Sequence, residues 1–285
     1  MRLLESRHED NPTLFTADGQ ITEQGRISLG ILDNLTGVRY FRLRKGLWVQ
    51  AEGAVYENYD PAVHIIDRFD IPAEWPRFWV IDFGYKNPFV WQAWAMDGDG
   101  RLFRYREIYF TERLVEDHAR AMLQASGYER RDGELVPIVE KPDPLPRAII
   151  CDHDAEDRAT LERHIGRATE AAVKAISPGI QSVQQRLNKA GDGRARIYFL
   201  RDSLVEVDRS LAAKSEPTCT EQEFEMYIWP PGVDGKPVKE VPVDKFNHGM
   251  DTTRYMVAKF DAPLPPDKVL YSPVGILGGF KRVRG

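Results

Sequence analysis

Three aspartates carry the chemistry this sequence can offer. Asp82 closes the apolar run Phe78–Asp82 (FWVID), and Asp152 follows the run Arg147–Cys151 (RAIIC). Asp251 lies in NHGMDTTRYMV, a stretch of helical spacing whose apolar side is Met250, Tyr255, Met256 and Val257. If the two runs are neighbouring parallel strands, both carboxylates emerge at one edge of a sheet, and a helix leaning on that sheet adds the third. Converging carboxylates repel one another and raise each other's pKa unless a cation compensates. Mg²⁺ or Mn²⁺, which prefer oxygen ligands, supply that compensation. Two such ions roughly 3.5–4 Å apart activate a water and stabilise the leaving oxygen of a phosphodiester. Any one of these acids, taken singly, is most often a turn or helix cap; the joint placement on strand, strand and late helix favours a site.

Around them stand residues with two readings each. Asp154 competes with Asp152 as a metal ligand, whereas Glu156 and Asp157 suit the first turn of a helix, where the dipole favours acids. His248 either orients a metal-bound water or bonds locally with Asn247. His153 reads as a surface residue. Lys174 reaches a scissile phosphate or is simply solvated. Arg186, Lys189, Arg194 and Arg196 surround the turn Gly191–Gly193 and either track a nucleic-acid backbone or coat helix surfaces. Trp79, Trp91 and Trp94 fit a core, and Cys151 reads as a small buried hydrophobe.

The elements must position these groups. The chain has 285 residues, 42% of them hydrophobic, enough to bury a core. It contains no apolar run long enough to span a membrane, no secretory leader, and only two cysteines, which fits a reducing cytoplasm. The net charge of -5 taken alone argues against a nucleic-acid partner. It is segregated, however: residues 71–157 sum to -6 and residues 158–214 to +5. The acidic stretch holds two of the three acids.

A helix is expected over Thr22–Leu35, capped by Thr22, then short strands over Tyr40–Leu47 and Trp48–Tyr56. Prolines at 61, 72 and 76 place a boundary near residue 70. Three strands follow, Phe78–Asp82, Pro88–Met96 and Arg101–Phe110, the last two joined by the turn Asp97–Gly100. Then come a helix over Arg113–Ala125, a polar loop over Tyr128–Pro146, and a strand over Arg147–Asp152. A helix over Glu156–Ile165, a strand over Ala171–Ile176, a helix over Gly179–Leu187 and a strand over Ile197–Leu200 continue the pattern. A helix over Leu204–Ala213, a strand-like Phe224–Trp229, a Gly/Pro-rich loop over Pro230–Pro242 and a helix over Lys245–Phe260 complete it. Three antiparallel strands followed by parallel ones separated by helices make an α/β mixed sheet flanked by helices, the element order of a ribonuclease H-like domain.

At these residues the sequence resembles the nuclease domain of tailed-phage large terminase subunits. The resemblance rests on Ile81, Asp82, Gly84 and Pro88, on the strand end CDHDAEDR, and on DKFNH-x-x-D-x-x-RY from Asp244 to Tyr255. Upstream, EDNP (Glu9–Pro12) and Gly46–Tyr56 are similar to the segment joining the packaging ATPase to the nuclease. The resemblance implies a ribonuclease H-like fold and a metal-dependent endonuclease that cuts concatemeric double-stranded DNA during genome packaging. Its catalytic acids fall on Asp82, Asp152 and Asp251, with two Mg²⁺ or Mn²⁺ ions. It implies a packaging ATPase, portal protein and small terminase subunit as partners, in the host cytoplasm. It divides the chain into an ATPase-end or linker segment (1–70), a nuclease domain (71–262) and a basic tail (263–285). No G-x-x-x-x-G-K-[ST] loop is present, so no ATP hydrolysis is expected of this chain alone, which reads as a split-gene product, a fragment or an expressed domain. Rival readings are an inert docking or DNA-binding module and another nuclease of this fold, such as a junction resolvase.

Overall fold

The run RFWVID has no polar residue between its ends, the pattern of a strand covered on both faces. In the computed structural model, which describes residues 8, 11–33, 44, 53–230 and 241–261, it is strand β2 (Arg77–Asp82), every residue of which is buried. The expected strands over residues 40–47, Arg44 apart, and most of 48–56, the loop at 231–240 and the tail at 263–285 lie outside the described residues.

Strand β2 pairs antiparallel with β3 (Phe89–Met96), and β3 pairs antiparallel with β4 (Leu102–Phe110). In the connecting turn Asp97 Oδ1 accepts from the Asp99 and Arg101 amides at 3.0 and 2.8 Å, and Gly100 supplies a φ of +75°. On its other side β2 pairs in parallel with β7 (Ala148–Cys151), which pairs in parallel with β8 (Glu170–Ala171). The strand order is completed beyond β4 by two parallel strands, β9 (Ile197–Leu200) and β1 (Ile65–Ile66), giving β1-β9-β4-β3-β2-β7-β8. The central run β4-β3-β2-β7-β8, three antiparallel strands followed by parallel ones, is the α/β mixed sheet expected. β1 lies upstream of the expected boundary at residue 70, as do Val55 and Tyr56, which are buried in the main core. The Val55 amide donates to Tyr227 O at 2.9 Å, so the sheet domain takes in chain from residue 53 onward.

Side chains alternate across a strand, so the sheet sorts its residues between two helical layers. Trp79, Ile81, Trp91, Ile149 and Cys151 face α3 (Val115–Ala125) and α4 (Ala155–Ile165) through Ala119, Met122, Leu161 and Ile165. Phe78, Val80, Trp94 and Ile150 face α5 (Ile176–Leu187), α7 (Thr220–Met226) and α8 (His248–Asp261). The three tryptophans are fully enclosed, as expected.

Outside the sheet, α1 (Glu23–Asp33) begins where Thr22 Oγ1 accepts from the Gly25 amide at 2.9 Å. α2 (Pro61–His64) leads into β1, and α6 (Arg209–Ala213) is capped by Asp208.

Several sequence expectations are corrected. Phe224–Trp229 is strand-like only in its second half: Phe224–Met226 ends α7, whereas Tyr227 is extended, Ile228 bridges Ala54 antiparallel, and the Trp229 amide donates to Gly53 O at 3.0 Å. A six-residue segment that passes from helix to extended chain does not declare its period unaided. The loop over Tyr128–Pro146 contains a hairpin, β5 (Tyr128–Arg131) with β6 (Glu134–Pro137). Of Ala171–Ile176 only Ala171 is strand, and of Leu204–Ala213 only Arg209–Ala213 is helix.

Several buried side chains among the described residues carry a polar atom without a hydrogen-bond partner, and one of them is a histidine. His118 in α3 is fully enclosed and stacks on Phe89 with ring centroids 3.8 Å apart, and neither ring nitrogen meets a hydrogen-bond partner. Burial, reinforced by Arg113, lowers its pKa to about 3, so it is neutral. An unsatisfied buried polar group costs about 1–3 kcal/mol. His118→Leu is therefore expected to raise the melting temperature by a few degrees in calorimetry; a lower value than the parent's would refute this account.

Candidate functional site

The alternation that builds the core also aims the acids. Asp82 has the parity of Phe78 and Val80, so its side chain lies on the face covered by α8. Asp152 has the parity of Ile150 and lies on the same face. The register is direct: Ile81 pairs with Cys151, and the Asp152 amide donates to Ile81 O at 3.1 Å. The chain then turns sharply at Gly84, where a Cβ would come within 2.5 Å of Asn87 O and 2.6 Å of Pro88 O. Only glycine lets the backbone close that tightly.

Helix α8 brings the third acid. From its first turn His248 Nδ1 meets Asp82 Oδ2 at 3.1 Å. One turn on, Asp251 accepts from Arg254 Nη2 at 2.7 Å. Tyr255 lies another turn along and feels all three acids. Burial raises its phenol above the usual range, and the fields of Asp82, Asp251 and Asp152 all add to that.

Each acid has its own cationic or ionisable neighbour. Asp152 is ion-paired with Lys174, Asp251 with Arg254, and Asp82 with the His248 imidazole. For Asp82 this is not enough. Burial raises its carboxyl to about 6, against the lowering by the His248 hydrogen bond, with Asp251 and Asp152 raising it further. The His248 imidazole is raised in turn: burial lowers it, and the bond to Asp82 and the surrounding acids outweigh burial. The site is thus short of positive charge where Asp82 sits.

The other expected residues are placed as follows. Asp154 is the N-cap of α4, its Oδ1 accepting from the Glu156 and Asp157 amides at 3.0 and 2.9 Å. His153 is exposed. Lys174 joins the acids. The remaining basic residues do not. Arg186 binds Asp261 through two bonds of 2.6 and 2.8 Å and donates to Gly100 O at 2.9 Å. Arg196 pairs with Asp192 at 2.9 Å, the Arg194 amide bonds the same side chain, and Lys189 is exposed beside them. Gly100 lies in the β3–β4 turn, beside the Arg77 end of β2, so this group is roughly 15 Å or more from Asp82 along the strand.

Sequence reading missed the polar network that seats α8. Gln92 Nε2 donates to Gly249 O at 3.1 Å and to Thr220 Oγ1 at 2.7 Å. The Met250 amide donates to Glu223 Oε2 at 3.0 Å, and Tyr109 Oη donates to Glu223 Oε1 at 2.6 Å. A Cβ on Gly249 would strike Thr220 Oγ1 at 2.2 Å, so α8 rests backbone-close on α7. The signal in the sequence was a glutamine inside the apolar run PFVWQAWAM and a glutamate among the apolar residues of β4.

Among the described residues, one group of three possible metal ligands closes to within 4.8 Å, formed by Glu107, Cys219 and Glu221. It already contains a cation: Arg104, fully buried, pairs with Glu107 at 2.8 Å and with Glu221. Burial raises the Cys219 thiol to about 12, which keeps it protonated. This cluster is a closed ion-pair network.

No family model matches the chain, and no curated protein matches it. Among solved structures it is similar to the large terminase of a thermophilic bacteriophage. The form in complex with ATP-gamma-S shares 21% identity and a TM-score of 0.60 over 86% of this chain and 54% of that one. The form in complex with ADP gives 21% and 0.59 over 84% and 52%. The nuclease domain of the P22 large terminase aligns at 13% identity and a TM-score of 0.48, over 71% of this chain and 90% of that one. The chain spans about half the length of the thermophilic-phage structures, and the likeness is one of fold. No helix among the described residues is long and apolar enough to cross a membrane.

Glu223 is fully buried and burial raises its carboxyl to about 7, opposed by the Tyr109 hydrogen bond. A raised acid stabilises the fold below its unfolded pKa and loses that contribution as pH climbs through the folded value. Metal-free protein should therefore lose thermal stability between about pH 4.5 and 7. Glu223→Gln should flatten that slope; equal slopes in parent and variant would contradict the assignment.

Proposed function

We propose that this chain is the nuclease part of a phage-type DNA-packaging terminase, a divalent-metal endonuclease acting on double-stranded DNA. The observation that carries the reading is that Asp82 and Asp152 end neighbouring parallel strands on one face of the sheet, and that the helix covering this face carries Asp251 and reaches Asp82 through His248. Further support comes from the likeness of fold to the thermophilic-phage large terminase and from the motifs around each acid.

The residues suit a hard cation. The donors are carboxylate oxygens with one imidazole beside them, the set that Mg²⁺ and Mn²⁺ prefer. Asp82 lacks compensation, and a metal would restore its carboxylate to the ordinary range. Asp82, Asp152 and Asp251 would hold the metal, which supplies an activated water and stabilisation of charge on the leaving oxygen. His248 holds Asp82 by its Oδ2 and leaves Oδ1 free. Arg254 fixes Asp251 in the same way. Lys174, its side chain 45% exposed, pairs with Asp152, and its ammonium would be free to meet a phosphate if a metal held that carboxylate. Asp154 has its Oδ2 free for a supporting role.

The partners follow from the same reading: double-stranded DNA, a packaging ATPase, portal protein and small terminase subunit, in the host cytoplasm. The basic group at Arg186, Lys189, Arg194 and Arg196 would meet DNA only as a second contact, away from the cut.

The reading is tested with supercoiled plasmid and Mn²⁺. The parent should nick and linearise it, and Asp82→Asn, Asp152→Asn and Asp251→Asn should each lower the rate at least about 100-fold, the scale on which removing a key electrostatic group acts. Mn²⁺ should also raise the melting temperature of the parent, since a ligand bound only to the folded state stabilises it, and not that of Asp82→Asn. A parent that neither cuts nor binds Mn²⁺ would leave the inert docking module as the better account. Faster cutting of branched than of linear DNA would favour a junction-cleaving enzyme.

A further inference from the structure

Beside the acids lies a cavity that the hydrolytic reading does not use. It has a volume of about 190 Å³ and is bounded by the turn after β2, the end of β4, the α6–α7 connection and the residues leading into α8. His248 is the shared wall: it bonds Asp82 on one side and lines the cavity on the other.

The lining has two zones. Tyr109, Leu211 and Pro217, all buried, line it together with the half-buried Pro88, and these form an apolar and aromatic floor. Around them run short polar groups, the amides Asn87 and Asn247 and the carboxylates Asp244 and Glu216. Lys86 and Lys245 stand outermost, exposed. Phe246 borders the cavity with a φ of +53°, a left-handed conformation that is unfavourable for an aromatic residue. Lys245 Nζ sits 4.4 Å from its ring centroid. Strain of this kind persists only where the surroundings enforce it, and it gathers at binding sites.

The chemistry discriminates between occupants. A phosphate subsite needs converging donors; here two carboxylates share the rim and there is an apolar floor. At 190 Å³ the cavity is far larger than one water, at about 30 Å³. It is smaller than the roughly 300–1,000 Å³ that drug-sized ligands occupy. A planar heteroaromatic group of one ring system fits: an apolar floor for its face, amide and carboxylate groups for its edge, and lysines for the backbone phosphate that follows it.

We propose that this cavity receives one nucleobase extruded from the DNA beside the scissile phosphate, stacked against Phe246 and read at its edge by Asn87, Asn247 and Asp244. The position next to the cut rests on the nuclease reading above. The enzyme then favours DNA in which one base is already unpaired, because extrusion costs least there.

The test separates the two readings. Plasmid cleavage in Mn²⁺ reports on the acids alone. The cavity is read in EDTA at low salt, with the full chain titrated against a duplex carrying a single bulged 2-aminopurine and against its fully paired counterpart. The bulged duplex should bind at least fivefold more tightly, with quenching of the 2-aminopurine on stacking. Phe246→Ala should abolish both effects, and Phe246→Tyr should retain them. Leu211→Trp, which fills the floor, should also abolish them, and circular dichroism checks that it folds. Equal binding of the two duplexes, or a preference that survives Phe246→Ala, overturns the proposal. A bulge preference without plasmid cleavage defeats the nuclease reading and leaves the base-binding cavity standing.

Discussion

The arrangement depends on the parallel pairing of β2 with β7. Because Ile81 lies opposite Cys151, the next residue of each strand is an aspartate, and strand parity puts both on one face. A one-residue slip would send Asp152 to the opposite face, and would bring Ile150 and Cys151 to the wrong layers as well. The register is therefore held by the two apolar cores. The site inherits its geometry from hydrophobic packing that extends well beyond it.

The second constraint is the seat of α8. Its N-terminus is held by Gln92, Thr220 and Glu223, all fully or almost fully buried and all hydrogen-bonded. Buried polar networks of this kind are costly if half satisfied and specific when complete. Here they fix the height of the helix, so that His248 reaches Asp82 and Asp251 follows one turn later. Gly249 permits the close approach of α8 to α7.

Charge is arranged on two scales. Within the site each acid has a basic or ionisable neighbour, yet Asp82 remains raised to about 6 because burial outweighs what His248 returns. Across the molecule, the basic residues of segment 158–214 are divided. Lys174 joins the acids, while Arg186 and Arg196 are engaged in ion pairs at the far end of the sheet. A run of positive charge in sequence is thus not one surface in space.

The sequence by itself determined the central strands and what ends them. FWVID, RAIIC and the hairpin at Asp97–Gly100 are local patterns of apolar run and turn, and they declare their form without reference to partners. The strand ends that carry Asp82 and Asp152, the helix carrying Asp251 and the burial of the tryptophans were legible for the same reason. Only the tertiary structure decided which elements meet. Tyr227–Trp229 runs extended against residues 53–55, far away in sequence, while Phe224–Met226 ends a helix, so a six-residue run taken for a strand proved in part a helix. Glu223, Gln92 and Arg104 look like ordinary polar residues until the layers close over them. The boundary at prolines 61, 72 and 76 marked real breaks in secondary structure, but β1 and Tyr56 cross it to join the core, because burial is settled by contacts between segments distant along the chain. Local periodicity is a property of neighbours in sequence; charge compensation and the seating of a helix are properties of neighbours in space.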